Sequence, residues 1–284
     1  MSVDLHIHST HSDGTYSSAE IIAEAKRLGL SAVALTDHNT VSGLPNFLTE
    51  ARAADLTAIP GTELSTVYEK KEIHLLGLFI PEQHFADITA LMQDYRVRKA
   101  QSNRDLVARL CKDGYVIDYA EVERKNPNGN INRALIAKEL VANGYVSSVK
   151  EAFDTLLGDS IGYYIPPERL DFFEAIRFLR RIHVLPVWAH PLQHMDEPTV
   201  RAILPRAIEA GLAGMEVQHS SYSNETILRA KAIANEFGLL YSGGSDFHGS
   251  VKPDVKLGVG SREGDTPNIP DTYYEALLNA SKNL

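Results

Sequence analysis

Histidine and acidic residues recur in this sequence at the ends of short apolar runs, where they could bind metal ions. His6 and His8 are two residues apart in the run from Val3 to His8, so their side chains lie on the same face of a strand. Asp37 and His38 follow the apolar run SAVALT. Further acidic residues and histidines follow similar runs, namely Glu63, His190, His219, Asp246 and His248. Imidazole nitrogens combined with a few carboxylates suit Mn, Fe or Zn.

A single histidine on an apolar strand is usually a packed residue of the core or its rim. Several histidines at equivalent ends of separate strands favour a metal site, because these ends would meet at one place. His74 is weaker on this ground, since it stands near the beginning of its apolar run. Asp37 could either bind metal or cap the helix that follows it. We interpret His11, His84 and His183 as structural or exposed to solvent.

Alternating strand and helix patterns provide the frame for these residues. The predicted strands are residues 3–8, 31–36, 57–60, 73–80, 183–189, 214–218 and 239–243. Predicted helices follow most of them, and the first has a capping box of Ser17 and Glu20 and ends at Gly29. This alternation indicates a parallel sheet covered by helices, and about seven strands favour a closed barrel. The carboxyl ends of barrel strands form the functional face, so the ligand candidates would converge there.

The middle of the chain breaks this alternation. From about residue 85 to residue 159 the pattern is helical, with almost no strand signal. We therefore expect a barrel of residues 1–98 and 166–284 that is interrupted by a helical insertion, residues 99–165, which could bind substrate as a lid. In and near the insertion lie candidates for substrate contacts, namely Arg96, Lys99, Asn103, Arg104 and Arg133. The alternative for these side chains is a solvated helix face with surface ion pairs.

The composition excludes several classes of protein. Hydrophobic residues make up 44% and charged residues 23% of the 284 residues, which is typical of a globular protein. The net charge of −9 argues against nonspecific binding of long DNA or RNA, although it is compatible with a small phosphorylated substrate. The pattern predicts no signal peptide and no transmembrane segment. Because Cys111 is the only cysteine, no intrachain disulfide can form, and we expect a cytoplasmic protein without membrane contact.

Other chemistries lack support in the sequence. We find no P-loop, and no glycine fingerprint that follows a strand and opens a helix, so phosphate cradling and dinucleotide redox chemistry are disfavoured. The segment from Gly243 to Asp246 lacks the pattern of a nucleophile elbow. Cys111 lies in a helical run without a nearby base, which disfavours a thiol nucleophile.

Six ordered motifs resemble the PHP family, named after polymerase and histidinol phosphatase. They are DLHIHSTHSDGTYS (residues 4–17), TDHNT (36–40), GTE (61–63), IHLLG (73–77), AHP (189–191) and GSDFH (244–248). The resemblance extends from Val3 to about Gly260. It implies a distorted (β/α)7 barrel of the TIM type. It also implies two to three divalent metal ions, most often Mn, with Fe or Zn as alternatives.

The resemblance further implies three groups of metal ligands. They are His6, His8, Glu63 and Asp246 for one ion, Glu63, His74 and His190 for a second, and Asp13, His38 and His248 for a third. Glu63 would therefore bridge two ions. The resemblance gives a role to His74, whose position alone left its function open, and to Asp13, which the residues alone would assign to a turn.

Within the family, a helical insertion after the fourth motif is similar to that of small bacterial enzymes that act on nucleotide 3′-phosphates or on short RNA ends. The resemblance implies removal of the 3′-phosphate from nucleoside 3′,5′-bisphosphates such as pAp, or trimming of 5′-phosphorylated RNA. Two positions depart from the family pattern. Asn39 stands where Asp is usual, beside the ligand candidate His38, and Leu135 replaces the His of a frequent Arg-x-His motif. The second departure leaves the part of the insertion in substrate binding open.

We expect metal-assisted hydrolysis of a phosphate ester, because paired divalent ions neutralise the phosphate oxygens and lower the pKa of a bridging water. Glu63 and Asp246 would fix the ions, and His219 or His194 would protonate the leaving oxygen. The alternatives are a 5′–3′ exoribonuclease, a phosphatase for histidinol phosphate or another small phosphomonoester, and a non-catalytic PHP scaffold. The intact ligand positions disfavour a scaffold, and the basic residues disfavour amide or lactone hydrolysis.

Overall fold

A computed structural model describes residues 1–126, 131–158, 161–167 and 169–284. The chain divides into two compact units. Met1–Thr89 and Leu170–Leu284 form the first, called here the barrel unit, and Ala90–Arg169 form the second, called the helical unit. No helix in the described ranges is both long and apolar enough to cross a membrane.

The strands of the described residues all belong to the barrel unit. They are β1 (Ser2–Ile7), β2 (Leu30–Leu35), β3 (Thr57–Tyr68), β4 (Lys71–Leu78), β5 (Leu170–Asp171), β6 (Leu185–Trp188), β7 (Gly214–His219) and β8 (Leu240–Gly244). Seven strands pair in the order β1-β2-β3-β4-β6-β7-β8, and β5 pairs with β3 outside this path. The two ends of the sheet meet where His8 N donates to Phe247 O and Asp246 N donates to His6 O, each at 2.9 Å. These bonds nearly close the sheet, which confirms the predicted barrel of seven strands.

Closure requires a glycine at the end of β8. A Cβ atom at Gly244 would lie 2.1 Å from the Cβ of His6, so any side chain there would push β8 away from β1. The close approach places Asp246, two residues after Gly244, beside the histidines of β1. The glycine of the motif GSDFH therefore contributes to the site by allowing this close approach of the backbone.

The fourth strand differs from the parallel sheet that the sequence predicts. β4 is antiparallel to both of its neighbours, β3 and β6, whereas the other pairs along the path are parallel. The prediction is wrong because β3 continues past Pro60 to Tyr68 and then turns at Glu69 and Lys70, whose φ angles are 47° and 66°. A two-residue turn joins antiparallel strands, since parallel strands need a long crossover.

The helices of the described residues follow the strands of the barrel unit or build the helical unit. They are α1 (Ser18–Arg27), α2 (Leu44–Ala53), α3 (Phe85–Lys112), α4 (Tyr119–Lys125), α5 (Arg133–Ala142), α6 (Val149–Ala152), α7 (Phe172–Arg181), α8 (Pro191–His194), α9 (Glu197–Ala210), α10 (Asn224–Glu236) and α11 (Asp271–Ser281). α1 begins with the predicted capping box, in which Ser17 N donates to Glu20 Oε2 at 2.8 Å and Glu20 N donates to Ser17 Oγ. Gly29, with a φ of 70°, follows its end.

The helical unit has its own apolar core. Leu106 and Leu110 of α3 are fully buried with Ile136 and Leu140 of α5. No strand occurs among the described residues of this unit, as the helical pattern predicts. Its use as a lid over a bound substrate stays a prediction.

Candidate metal centre

Two histidines at the end of β1 lie at the mouth of the barrel. His6 and His8 are completely buried, and their Nε2 atoms lie 3.1 Å apart. Successive side chains on a strand point to opposite faces, so the spacing of two residues directs both rings to the same side. Two imidazole nitrogens that face each other at this distance can share a cation.

Glu63 of β3 lies at the centre of the cluster. Its Oε2 is 3.2 Å from the Nε2 atoms of both His6 and His8. Its Oε1 is 2.9 Å from His74 Nδ1 and 3.1 Å from His190 Nε2. His38 Nδ1 also lies 3.1 Å from Oε2. The two carboxylate oxygens therefore face different sets of imidazoles, which is the arrangement that a bridging ligand requires.

The ligand candidates form four overlapping groups, each with its ligand atoms within 4.8 Å of one another. The groups are His6, His8, Glu63 and Asp246; His8, Asp13, His38 and His248; His38, Glu63 and His74; and His190, His219 and Asp246. The first matches one group that the PHP resemblance implies, and the second adds His8 to another. The structure thus brings all the candidate ligands together and adds His219 to them. Their roles as ligands stay predictions.

The cluster fits divalent cations better than a hydrogen-bonded network. Five buried atoms of the cluster lack a well-directed hydrogen bond within the described ranges, namely His8 Nδ1, His38 Nδ1, Glu63 Oε2, His74 Nδ1 and His219 Nε2. Buried polar atoms without partners are unusual in folded proteins, because leaving each one unsatisfied costs about 1–3 kcal/mol. Lone pairs that converge at the mouth of a barrel are the donors that Mn, Fe or Zn takes.

Burial and neighbouring carboxylates shift the pKa values of the histidines in this cluster in opposite directions. Burial disfavours the imidazolium form of His8, but Asp246 and Glu63 outweigh burial and raise the pKa of His8 to about 9. Burial is likewise outweighed at His74, where the charge of Glu63 raises the pKa to about 10. Burial prevails at His38 and His190, and it lowers their pKa values to about 3 and about 4. The metal-free cluster therefore contains both protonated and neutral imidazoles.

The reversed direction of β4 explains the position of His74. In a parallel strand, a residue near the beginning would lie at the far end of the barrel from the site. Because β4 runs antiparallel to β3, its early residues lie at the mouth, and His74 pairs with Ser65 two residues beyond Glu63. Sequence reasoning on parallel strands could not place His74, although the PHP resemblance did.

A buried carboxylate that the sequence reasoning missed orients two of the histidines. Glu216 of β7 is completely buried, with Oε1 3.0 Å from His6 Nδ1 and Oε2 accepting a hydrogen bond from His190 N at 2.7 Å. The first contact fixes the His6 ring with Nε2 toward Glu63. An acidic residue at an inward position of an apolar strand was the available signal. Such carboxylates commonly set the tautomer of metal-binding histidines.

Asp37 has neither of the two roles considered for it. Its carboxylate accepts hydrogen bonds from Ser9 N at 2.8 Å, from Ser9 Oγ at 2.7 Å and from Ser12 Oγ at 2.5 Å. It therefore holds the loop after β1, which contains Asp13. The following helix α2 instead begins after Gly43, without a side-chain cap.

Asn39 links the loop after β2 to strand β3. Its side chain accepts a hydrogen bond from Ser65 N at 2.9 Å and donates one to Ser65 Oγ at 3.0 Å. Asn39 N also donates to Glu63 O at 2.8 Å. An amide provides both an acceptor and a donor here, so Asn suits this position without being a ligand.

Two ligand candidates have a left-handed backbone. The φ angles are 31° at His190 and 56° at Asp246. Such conformations cost about 1–2 kcal/mol for residues other than glycine and persist where the surrounding structure holds them. The hydrogen bonds of His190 N to Glu216 and of Asp246 N to His6 O supply that restraint.

His194 lies outside the ligand groups, in the wall of a cavity beside them. The cavity has a volume of about 470 Å³, and His74, His190 and His194 line it together with apolar residues that include Ile73 and Met195. Burial lowers the pKa of His194, and the positive charge of His74 adds to the effect. His194 can therefore contact a ligand in this cavity.

The predicted substrate contacts belong to the helical unit, where several already have partners. Asn103 is buried and donates to Ile131 O at 2.8 Å, and Arg104 pairs with Glu123 at 2.7 Å. Arg133 donates to Leu157 O at 2.8 Å, and its guanidinium lies 4.1 Å from the centre of the Tyr164 ring. Arg96 and Lys99 lie on α3. These contacts serve the fold of the unit, and a role in substrate binding stays a prediction.

Comparison with known proteins identifies the family. A sequence model of the PHP domain matches residues 4–165. The chain belongs to the PHP family. A 5′–3′ exoribonuclease of Haemophilus influenzae is 31% identical over 246 residues, which cover 86% of this chain and 89% of that protein. A 3′,5′-nucleoside bisphosphate phosphatase of Chromobacterium violaceum is 28% identical, with coverage of 94% and 92%.

A solved structure is similar over nearly the whole chain. A candidate metal-dependent phosphoesterase of Bifidobacterium adolescentis superposes with a TM-score of 0.79 and 28% identity, covering 97% of this chain and 95% of the other. The fold that the PHP motifs imply is therefore confirmed, and the ligand groups of this PHP protein are able to bind metal ions.

Proposed function

We propose that this protein, a metal-dependent hydrolase of phosphoester bonds, removes the 3′-phosphate from nucleoside 3′,5′-bisphosphates. The observation that carries the proposal is the position of Glu63, whose two oxygens face separate sets of imidazoles. Divalent ions held by these side chains would supply positive charge to the phosphate and lower the pKa of a water molecule. The bisphosphate phosphatase of Chromobacterium violaceum supports this choice of substrate.

We further propose Mn as the metal, with Fe or Zn as substitutes, because imidazoles equal the carboxylates in one group of ligands and outnumber them in the other three. Bound divalent ions would neutralise the phosphate oxygens and activate water for attack. His6, His8 and Glu63 would hold these ions and exclude bulk water from them, since all three side chains are completely buried.

The cavity beside His74 and His190 accommodates the organic part of the substrate. Its volume of about 470 Å³ is within the range of small-molecule sites, and apolar side chains such as Ile73 and Met195 suit the face of a nucleobase. His194 in its wall is our candidate for the group that protonates the leaving oxygen. His219 is less suited to that task, because it belongs to a ligand group with His190 and Asp246.

A second phosphate would increase the reaction rate by binding away from the reacting centre. One or two charge-assisted contacts of about 1.5–3 kcal/mol each would raise kcat/KM by about ten- to several-hundred-fold. The candidates for these contacts in the helical unit are Arg96, Lys99, Asn103, Arg104 and Arg133.

The test is a comparison of phosphate release with Mn from adenosine 3′,5′-bisphosphate, adenosine 3′-monophosphate, histidinol phosphate and short 5′-phosphorylated RNA. We expect the bisphosphate to have the highest kcat/KM. A 3′-monophosphate hydrolysed equally fast would contradict the choice of substrate. Faster release of mononucleotides from RNA would favour the second candidate, a 5′–3′ exoribonuclease, which the relative from Haemophilus influenzae supports.

A further inference from the structure

A second cavity adjoins the metal centre within the barrel unit. It has a volume of about 270 Å³ and contains three cationic side chains, Lys252, Lys256 and Arg262. His219 and Asp246 of the ligand groups also line it. We call it the Lys252 pocket. A group bound in this pocket would therefore lie next to whatever occupies the metal centre.

The three cations come from the loops after β8. Lys252 Nζ lies 2.5 Å from Asp246 Oδ2, and Lys256 Nζ lies 2.8 Å from Asp265 Oδ1. Arg262 donates to Ser221 O at 2.8 Å. A guanidinium has five N–H donors, and this contact uses one of them while it fixes the direction of the side chain. The pocket thus has three cations, two in ion pairs and one held by a backbone carbonyl.

Two carboxylates, Asp246 and Asp254, oppose these three positive charges in the lining. Asp246 belongs to two of the ligand groups, so its charge would be directed to a metal ion rather than to Lys252. Lys252 is 39% exposed and could then turn toward the pocket. The balance of charge in the pocket therefore favours an anion when the metal centre is in use.

We propose that the Lys252 pocket binds the second phosphate of the substrate, the one that is not hydrolysed. The inference rests on the proposed function, because only a substrate with two phosphates would use the metal centre and the pocket together. In this proposal Lys252, Lys256 and Arg262 bind the second phosphate, whereas the sequence analysis assigns substrate contacts to residues in and near the helical insertion.

The position of α8 agrees with a nucleotide that spans both cavities. Gln193 lines the Lys252 pocket, whereas the next residue, His194, lines the larger cavity beside His74 and His190. Residues of this short helix therefore line both cavities. A nucleoside whose base occupies the larger cavity could extend a phosphate into the Lys252 pocket.

The first experiment measures binding of adenosine 5′-monophosphate, which carries only the second phosphate, by titration calorimetry on the full chain with Mn. The double variant Lys256→Gln/Arg262→Gln should weaken this binding at least tenfold, as expected for the loss of charge-assisted contacts. The matched control Lys26→Gln/Lys282→Gln removes the same charge from exposed positions outside the pocket and should leave affinity unchanged. Equal affinity of wild type and double variant, or no binding to the wild type, would overturn the proposal.

The second experiment compares kcat/KM for adenosine 3′,5′-bisphosphate with kcat/KM for adenosine 3′-monophosphate. In the double variant this ratio should fall about tenfold or more. If the ratio is unchanged in this variant but falls in Arg96→Gln or Arg133→Gln, the second phosphate binds to the helical unit. That result would refute the proposed role of the Lys252 pocket. Hydrolysis of neither nucleotide by the wild type would refute the proposed function instead, while the calorimetry would still decide whether the pocket binds phosphate.

Discussion

Replacing Glu216 by Gln tests whether a carboxylate outside the ligand groups controls the metal affinity of the site. Glu216 accepts from two donors, one on the His6 ring at 3.0 Å and one at His190 N at 2.7 Å. Gln has nearly the same volume, so packing in the fully buried position is preserved. The change therefore isolates the hydrogen bonding and the charge.

The expected effect follows from the number of acceptors. A Gln side chain has one carbonyl oxygen and one NH2 group. Its oxygen can therefore accept from only one of the two donors, and its NH2 group must face the other. If the NH2 group faces His6 Nδ1, the imidazole must carry its proton on Nε2, the atom that lies 3.2 Å from Glu63. That tautomer cannot bind metal through Nε2. If the NH2 group faces His190 N instead, a buried donor is left unpaired at a cost of about 1–3 kcal/mol.

Either outcome should weaken metal binding by about 10- to 100-fold, the usual effect of removing a group that orients a histidine ligand. The assay is competition for Mn or Zn with a chromophoric chelator at fixed pH, with circular dichroism to verify the fold. Glu263→Gln is the matched control, because Glu263 accepts from Asn224 N at 2.9 Å and belongs to none of the described ligand groups. An affinity of Glu216→Gln within about twofold of the wild type would refute the assigned role.

Two further predictions concern the ligand cluster. Asp246→Asn should remove a ligand from two groups and abolish turnover without unfolding the barrel, and normal turnover with normal metal content would show that the assignment is wrong. In the metal-free protein, the free energy of unfolding should rise from about pH 4 toward pH 6.5, because His38 and His190 have lowered pKa values and stay neutral in the fold. It should fall again toward pH 9–10, because His8 and His74 have raised pKa values and lose their protons there, and urea titrations at a series of pH values would measure this maximum.

The periodicity of the strands was enough to predict where most of the ligand candidates lie. The spacing of His6 and His8 fixes their common face, and the positions of His190 and Asp246 after apolar runs fix their end of the barrel. These inferences use only local geometry. They succeed where the chain alternates strand and helix, because each crossover returns the next strand in the same direction.

The same reasoning fails where the chain departs from that alternation. His74 could not be placed because the hairpin after β3 reverses the direction of β4. The turn of this hairpin consists of Glu69 and Lys70, which have positive φ angles, and it lacks the glycine that usually marks such a turn. The orienting role of Glu216 could not be predicted, because it depends on a contact between β7 and β1. Contacts between strands that are distant in the sequence have no local pattern.

Asp13 shows a third limit. It lies in a loop, and its position depends on hydrogen bonds that the loop makes to other segments. Ser12 Oγ donates to Asp37 at 2.5 Å, and Gly14 N donates to Ser9 O at 3.0 Å. A Cβ at Gly14 would lie 2.4 Å from His8 O, so the glycine is needed for this loop. A ligand on such a loop can be recognised by family resemblance but not by strand periodicity.

Folding and metal binding should be linked in this site, because the fold buries charged groups close together and burial of a charged group without a partner is unfavourable. Glu63 is fully buried among imidazoles, and in the absence of metal its charge is balanced by protons on His8 and His74. Metal ions require neutral imidazoles, so their binding must release these protons. The energy that keeps the ligands converged comes from the fold, which holds Asp246 in a left-handed conformation and closes the sheet beside it. A cation therefore replaces protons in a cluster that the barrel has already assembled, and metal affinity should increase with pH until His8 and His74 are neutral.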